Sequence, residues 1–141
     1  MIRYADQSDF ERLREHDRHI SEDELARSIE ARRVLMMFVQ GIFAGWLRFN
    51  LFWDEIPFMN MLYFLEEYRG KGLGTQLTRH WEEEMAKRGC RQVLTSTLSS
   101  EQAQFFYRKN GYVDCGSLLL PGEPLEIILL KELAQPATPG P

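Results

Sequence analysis

Three glycines within five residues, between an apolar run and a helix pattern, constrain the fold of this chain more than any other segment. The stretch reads Arg69-Gly70-Lys71-Gly72-Leu73-Gly74 and follows the almost entirely apolar run 58–65. Beyond it, large apolar residues recur every four positions, at Leu73, Leu77, Trp81 and Met85. This is helical spacing, so the segment predicts a strand, a tight turn and a helix. With a further strand predicted at 93–97, it forms a βαβ unit whose strands run parallel.

The segments on either side of this unit predict a mixed sheet. Ser21 and Glu24 have the capping-box spacing and mark the start of a helix, and Ser100 is the expected N-cap of another at 101–109. Apolar runs and alternating patterns bounded by turn residues predict the remaining strands, at 2–4, 34–39, 46–52, 112–120 and 126–130. The expected fold is α/β (α+β), in the order β-α-α-β-β-β-α-β-α-β-β, with helices on both faces of one mixed sheet.

Size and charge restrict the class of protein. With 141 residues the chain is the size of one domain, which we assign to 1–133, and the proline-containing segment 134–141 is predicted to be a disordered tail. The net charge of −4 argues against electrostatic binding of nucleic acid or an anionic membrane by the protein surface as a whole. Two cysteines, Cys90 and Cys115, are too few for a disulfide framework or a zinc site, so no metal is expected. Without a signal sequence or a spanning segment, the prediction is a soluble cytoplasmic protein with no membrane partner.

The glycine-rich turn has the chemistry of an anion site. Glycine lets the backbone approach a ligand closely, and the start of the following helix offers unpaired N–H groups to phosphate. Arg69 and Lys71 add positive charge in an otherwise acidic chain. The spacing excludes a Walker A loop, which needs Gly-Lys-Ser/Thr, and a dinucleotide fingerprint, whose last glycine would fall at Thr75. These residues alone are consistent with either a pyrophosphate site or a plain strand-to-helix turn.

Two motifs together resemble the GCN5-related N-acetyltransferase (GNAT) family. The loop fits that family's acetyl-CoA motif, [QR]-x-x-G-x-[GA], and lies between the expected strand and helix. Downstream, the family pattern N-x-x-A-x-x-x-Y-x-x-x-G-[FY] is matched from Ala103 through Tyr107 to Gly111-Tyr112, with Ser100 in place of the usual Asn. The resemblance, including the order of elements, covers residues 1–133.

The resemblance implies roles for individual residues. Backbone amides of Arg69, Gly70, Lys71, Gly72, Leu73, Gly74 and Thr75 would hold the pyrophosphate of acetyl-CoA. The backbone of Phe64 and Leu65 would pair with the pantetheine as an added strand does, and Ser100 stands at a cofactor position of the family. Tyr107 matches the tyrosine that protonates, or hydrogen-bonds to, the departing CoA thiolate. Helical spacing alone would favour a core aromatic at Tyr107, beside Phe105 and Phe106, and only the motif match indicates the catalytic role.

The acceptor site is less defined by the sequence. Asp54 and Glu55, in the loop after 46–52, are candidates for a base near the incoming amine. If Phe52 pairs with Phe58 across that loop, Asn50 faces Asn60 and Arg48 lies on the same face. These polar groups either satisfy one another or the backbone, or form a substrate site in which Arg48 binds a carboxylate.

The expected function is an acetyl-CoA-dependent N-acetyltransferase, in which a primary amine of a small molecule or peptide attacks the thioester directly in a ternary complex. The alternatives are a non-catalytic acyl-CoA-binding module and an interaction protein with a merely structural glycine turn. The aromatic residues Phe49, Phe52, Trp53 and Phe58 fit either a homodimer interface or a pocket lid.

Overall fold

Strands and helices follow the predicted order in the computed structural model, which describes residues 1–135. The strands are β1 (Ile2–Tyr4), β2 (Val34–Val39), β3 (Ile42–Phe52), β4 (Ile56–Phe64), β5 (Gln92–Leu98), β6 (Val113–Leu118) and β7 (Glu126–Glu132). The helices are α1 (Phe10–His16), α2 (Glu22–Glu30), α3 (Leu73–Lys87) and α4 (Ala103–Lys109). The predicted tail 134–141 lies outside the described residues from position 136 onward. Within residues 1–135, no helix is long and apolar enough to cross a bilayer.

All seven strands belong to one sheet, in the order β1-β2-β3-β4-β5-β7-β6. β4 and β5 pair in parallel, with Phe58 opposite Leu94, as the predicted βαβ unit requires. The pairs β1–β2, β2–β3, β5–β7 and β6–β7 are antiparallel. The predicted mixed sheet and the order of its elements are therefore confirmed.

The chain falls into two compact units. The first consists of residues 1–50 and 60–78, and its core includes Leu13, Leu25 and Trp46. The second consists of residues 51–59 together with the chain from 79 onward. Its fully buried side chains include Trp81 and Tyr112. The assignment of 1–133 to one domain stays a prediction.

Helix signals in the sequence are confirmed at two places. The Ser21 hydroxyl accepts a hydrogen bond from the Glu24 N–H at 3.2 Å, so Ser21 is the N-cap of α2. Leu77, Trp81 and Met85 are 0–1% exposed, so the four-residue spacing does mark the buried face of α3.

The prediction that Ser100 caps α4 is wrong. The helix begins at Ala103, and Ser100 lies exposed in a turn that precedes it. The Gln104 side-chain amide donates to the carbonyls of Ser99 and Glu101, at 2.8 and 2.9 Å, and this bonding fixes the turn in place of a first helical turn.

Two glycines shape β3 in different ways. Gln40 and Gly41 both have positive φ, 51° and 78°, and form the tight turn that starts the strand at Ile42, earlier than the sequence predicts. A Cβ on Gly45 would lie only 2.5 Å from the Tyr63 carbonyl oxygen and from Cδ1 of Phe64. Gly45 is therefore required by the close approach of β3 to the end of β4.

Candidate active site

The glycine-rich loop of the first unit has an open face. A short 3₁₀ turn, Glu66–Tyr68, follows β4, and the loop then passes through Gly70 and Gly72 with φ of 71° and 78°. A Cβ at either glycine would meet no atom within 4 Å. Both glycines are therefore required by backbone conformation and not by packing against the protein. Their side of the loop can admit a ligand close to the backbone.

The start of α3 adds donors at the same place. The first turn of the helix closes with the Gln76 N–H donating to the Gly72 carbonyl at 3.2 Å. The N–H groups of Leu73, Gly74 and Thr75 precede that bond, so they have no partner within the helix. With the positive end of the helix dipole, they suit a phosphate oxygen. Residues 69–75, which we call the cradle, thus form one continuous stretch of backbone suited to an anion, and their binding of the pyrophosphate of acetyl-CoA stays a prediction.

Arg69 braces this cradle. Its Nε donates to the Phe64 carbonyl at 2.8 Å, and its guanidinium lies 4.9 Å from the centre of the Tyr63 ring. Both contacts fix the loop to the end of β4. Lys71 is exposed, and its ammonium lies 5.8 Å from the Tyr68 ring centre. Arg69 therefore holds the loop in shape, and Lys71 supplies an exposed positive charge.

Phe64 and Leu65, at the end of β4, are both predicted to pair with pantetheine, but their backbone N–H groups point to opposite sides. The Leu65 N–H donates to the Ala44 carbonyl at 2.9 Å and is occupied within the sheet. Because successive residues of an extended chain direct their N–H groups to opposite sides, the Phe64 N–H points away from β3. Of the two, the Phe64 N–H is the donor better placed to pair with an added strand.

Tyr107, in the second unit, is a buried phenol with weak hydrogen-bond partners. The residue is 7% exposed, and its hydroxyl donates to the Met59 sulfur at 3.6 Å. Burial raises the pKa of Tyr107 to about 12, and a hydrogen bond with Thr95 opposes that rise. The phenol is therefore protonated at neutral pH. Because a thioether is a weak acceptor, the hydroxyl can exchange it for a better one at little cost.

Arg48 does not offer its guanidinium to a substrate carboxylate in the way proposed from the sequence. Its Nε donates to Asp17 Oδ2 at 2.8 Å, and the two side chains are only 7% and 0% exposed. The Trp46 indole N–H also donates to Asp17, at 3.2 Å. The carboxylate partner of Arg48 thus comes from the chain itself, and this buried pair joins the end of α1 to β3.

The other predicted acceptor-site residues flank the turn after β3. That turn is closed by a hydrogen bond from the Glu55 N–H to the Phe52 carbonyl, at 3.1 Å, and the ring centres of Phe52 and Phe58 lie 6.4 Å apart. Asn50 and Asn60 are both exposed, so neither amide needs a buried partner. That the two face each other in a substrate site stays a prediction.

Glu55 immediately precedes β4, in the turn that follows β3, and its side chain is exposed. Its role as a base near the incoming amine stays a prediction.

Comparison with known proteins agrees with this geometry. The acetyltransferase (GNAT) family profile matches residues 2–112. The chain belongs to the GNAT acetyltransferase family. It is accordingly an acetyltransferase, and acetyl-CoA is the acyl donor expected of such an enzyme. A search of curated proteins gave no match.

Solved structures share the GNAT fold. The PaiA N-acetyltransferase from Thermoplasma acidophilum, in complex with coenzyme A, has a TM-score of 0.78 and 20% identity over 94% of this chain and 98% of that chain. The ribosomal-protein-S18-alanine N-acetyltransferase from Escherichia coli has a TM-score of 0.77 and 18% identity, over 97% of this chain and 96% of that chain. N-acetylglutamate synthase from Neisseria gonorrhoeae, in complex with coenzyme A and N-acetyl-glutamate, has a TM-score of 0.76 and 17% identity. The match covers 96% of this chain and 35% of that chain. At these identities the likeness shows the fold alone.

Several partners of the candidate residues Arg48 and Tyr107 were not identified from the sequence. Asp17 continues the spacing of Phe10 and Leu13 on α1, and a carboxylate on an apolar stripe signals a buried acid that needs a partner. Met59 and Thr95 reach Tyr107 from strands distant in sequence, and no local pattern identifies them.

Proposed function

We propose that the chain transfers the acetyl group of acetyl-CoA to a primary amine of a small molecule or peptide by direct attack in a ternary complex. The observation that carries the proposal is the cradle at residues 69–75. Its two left-handed glycines present an open backbone face at the N-terminus of a fifteen-residue helix. That arrangement suits a pyrophosphate, and a pyrophosphate links the two halves of acetyl-CoA.

The proposed reaction assigns each group a step. The neutral amine nitrogen attacks the thioester carbonyl, a C–N bond forms and the carbonyl oxygen becomes an oxyanion. When the oxyanion collapses, the C–S bond breaks and CoA leaves as its thiolate, while the amine loses a proton to water. The Phe64 N–H pairs with the pantetheine, so that the thioester is held in one orientation.

Tyr107 acts in this scheme by donating a hydrogen bond to the thiolate sulfur. An ordinary thiol has a pKa of about 8.5. The raised pKa of Tyr107, about 12, makes complete proton transfer to such a sulfur unfavourable. The phenol therefore stabilises the developing negative charge and keeps its proton, and the thiolate is protonated from solvent.

The test is the substitution Tyr107→Phe, which keeps the ring and removes only the hydroxyl. We expect kcat to fall about 100-fold while the Kd for acetyl-CoA changes less than twofold. Turnover is measured by release of the CoA thiol with a panel of amines, and binding by calorimetry. Tyr4→Phe, in β1, is the matched control and should leave both quantities unchanged. Because the phenol stays protonated up to about pH 12, wild-type kcat should show no alkaline loss from this group between pH 7 and 10.

A non-catalytic acyl-CoA-binding module is the alternative, and the burial of Tyr107 among aromatic rings favours it. Phe106 and Tyr112 pack edge-on against the Tyr107 ring, at 5.2 and 5.5 Å, as core residues do. Under this alternative the wild-type protein binds acetyl-CoA, releases no thiol with any amine, and loses stability in Tyr107→Phe. If the wild-type protein is active and Tyr107→Phe has the same kcat, the Tyr107 hydroxyl takes no part in transfer.

A further inference from the structure

The end of α4 determines where Tyr107 lies. Gly111 has a φ of 95°, its N–H donates to the Arg108 carbonyl at 3.1 Å, and the Tyr112 N–H donates to the Tyr107 carbonyl at 3.0 Å. This is the bonding of a Schellman motif, in which the residue after the glycine commonly packs on the residue five positions before it. The rings of Tyr112 and Tyr107 do so, with centres 5.5 Å apart.

Tyr112 is in turn held by a partly buried ion pair. Its hydroxyl donates to Glu82 Oε2 at 2.8 Å, and the Lys131 ammonium donates to Glu82 Oε1 at 2.8 Å. Tyr112 is 1% exposed and Glu82 is 8% exposed. Both carboxylate oxygens thus have a partner, and three parts of the second unit meet at this carboxylate: the later turns of α3, β7 and the residues that follow α4.

Lys131 also contacts the turn itself. A Cβ on Gly111 would lie 3.3 Å from Lys131 Cε, and the Lys131 ammonium lies 5.7 Å from the centre of the Tyr112 ring. The lysine stem therefore covers the Schellman turn while its head neutralises Glu82. A network in which each polar group has a partner restricts its rings, because another arrangement would leave the buried Tyr112 hydroxyl or the Glu82 carboxylate without its partner.

We propose that Glu82, Tyr112 and Lys131 form a clamp that fixes the Tyr107 hydroxyl for thiolate stabilisation, so that Tyr112 and Glu82 are positioning residues for acetyl transfer. This inference rests on the role of Tyr107 in the proposed function. The clamp acts on Tyr107 through its ring and its backbone carbonyl, and none of its three side chains takes part in the chemistry. Misplacing a group that must meet the leaving atom lowers kcat without weakening substrate binding.

The first test is a double-mutant cycle between Tyr112→Phe and Tyr107→Phe. Tyr112→Phe alone should lower kcat about 10-fold, with the Kd for acetyl-CoA and KM for the amine unchanged. In the Tyr107→Phe background it should lower kcat less than twofold, since the hydroxyl it positions is gone. An equal loss in both backgrounds, or no loss in either, would overturn the clamp.

Variants of Glu82 separate positioning from stability. Glu82→Gln keeps an oxygen that can accept from the Tyr112 hydroxyl and should retain kcat within about threefold of wild type. Glu82→Met removes the acceptor and should match Tyr112→Phe. Ile127→Val, a conservative truncation on β7, serves as a control that lowers the thermal midpoint by a few degrees and should leave kcat unchanged. A loss of kcat in that control equal to the loss in Tyr112→Phe would assign the effect to stability alone.

A spectroscopic measurement distinguishes failure of the clamp from failure of the proposed function. In protein labelled with ¹³Cζ-tyrosine, the Tyr107 signal is assigned by its absence from Tyr107→Phe. Tyr112→Phe should shift or broaden that signal whether or not Tyr107 contributes to turnover. An unchanged signal refutes the clamp. If the signal shifts but Tyr107→Phe has a normal kcat, the clamp does fix Tyr107, but the hydroxyl has no role in transfer. The clamp then has no role in transfer either.

Discussion

Replacing Gly72 with alanine tests whether the loop is a cofactor cradle, because the structure supplies a matched control in Gly41. Both glycines have a φ of 78°, and a Cβ on either would meet no atom within 4 Å. Forcing alanine into this left-handed conformation costs about 1 kcal/mol at each position. Gly72→Ala and Gly41→Ala should therefore lower the thermal midpoint equally, by about 3–5 °C.

Only Gly72→Ala should impair binding of acetyl-CoA. Its methyl group faces the open side of the loop, where the pyrophosphate must approach the backbone N–H groups. Losing two charge-assisted hydrogen bonds, at about 1.5–2 kcal/mol each, weakens binding by about 3–4 kcal/mol, or more than 100-fold. Calorimetric titration with acetyl-CoA measures this difference directly. Equal affinities in the two variants would show that the loop is only a strand-to-helix turn.

Three further predictions follow from contacts in the first unit. Arg69→Ala removes the brace to Phe64 but leaves the backbone donors, so the Kd for acetyl-CoA should rise only about 5- to 10-fold by calorimetry; a loss as large as that of Gly72→Ala would make the arginine a direct phosphate ligand. Gly45→Ala places a methyl group 2.5 Å from a backbone oxygen and should destabilise the protein by about 3 kcal/mol or more in urea unfolding, whereas an unchanged midpoint would refute the close approach of β3 and β4. The bidentate pair of Arg3 with Asp9, at 2.7 and 2.9 Å, holds the pKa of Asp9 below its ordinary value. The stability it provides is present above the ordinary pKa of Asp and lost as pH falls through the lowered one. The destabilisation in Arg3→Met should therefore be largest near pH 7 and decrease as the pH falls below the ordinary pKa of Asp, and an equal loss at every pH would contradict it.

Sequence reasoning recovered the features of this fold that depend on local patterns. The spacing of Leu77, Trp81 and Met85 identified the buried face of α3, and Ser21 identified the start of α2, because both depend on residues within one or two turns of a helix. The order of strands and helices followed from the same periodicities. The family followed from two motifs, each contained within one strand-to-helix or helix-to-strand connection.

The partner of Arg48 could not be predicted because it comes from a distant segment of the chain. Arg48 binds Asp17, thirty-one residues away, and only the packing of α1 against β3 brings the two together. The register after β3 depended on which residues close the turn, and a two-residue turn with Trp53 and Asp54 at positive φ is not one that the sequence would favour. The requirement for glycine at position 45 likewise comes from the neighbouring strand and leaves no local signal.

Thermal unfolding in the presence of acetyl-CoA, CoA and ATP tests most directly whether this GNAT chain binds acetyl-CoA through its glycine-rich loop. A ligand at about 100 times its Kd stabilises the folded state by about 2.7 kcal/mol. The structure predicts that acetyl-CoA and CoA both raise the thermal midpoint of the wild-type protein and raise that of Gly72→Ala much less at the same concentration. Stabilisation by ATP with none from either CoA species would contradict it.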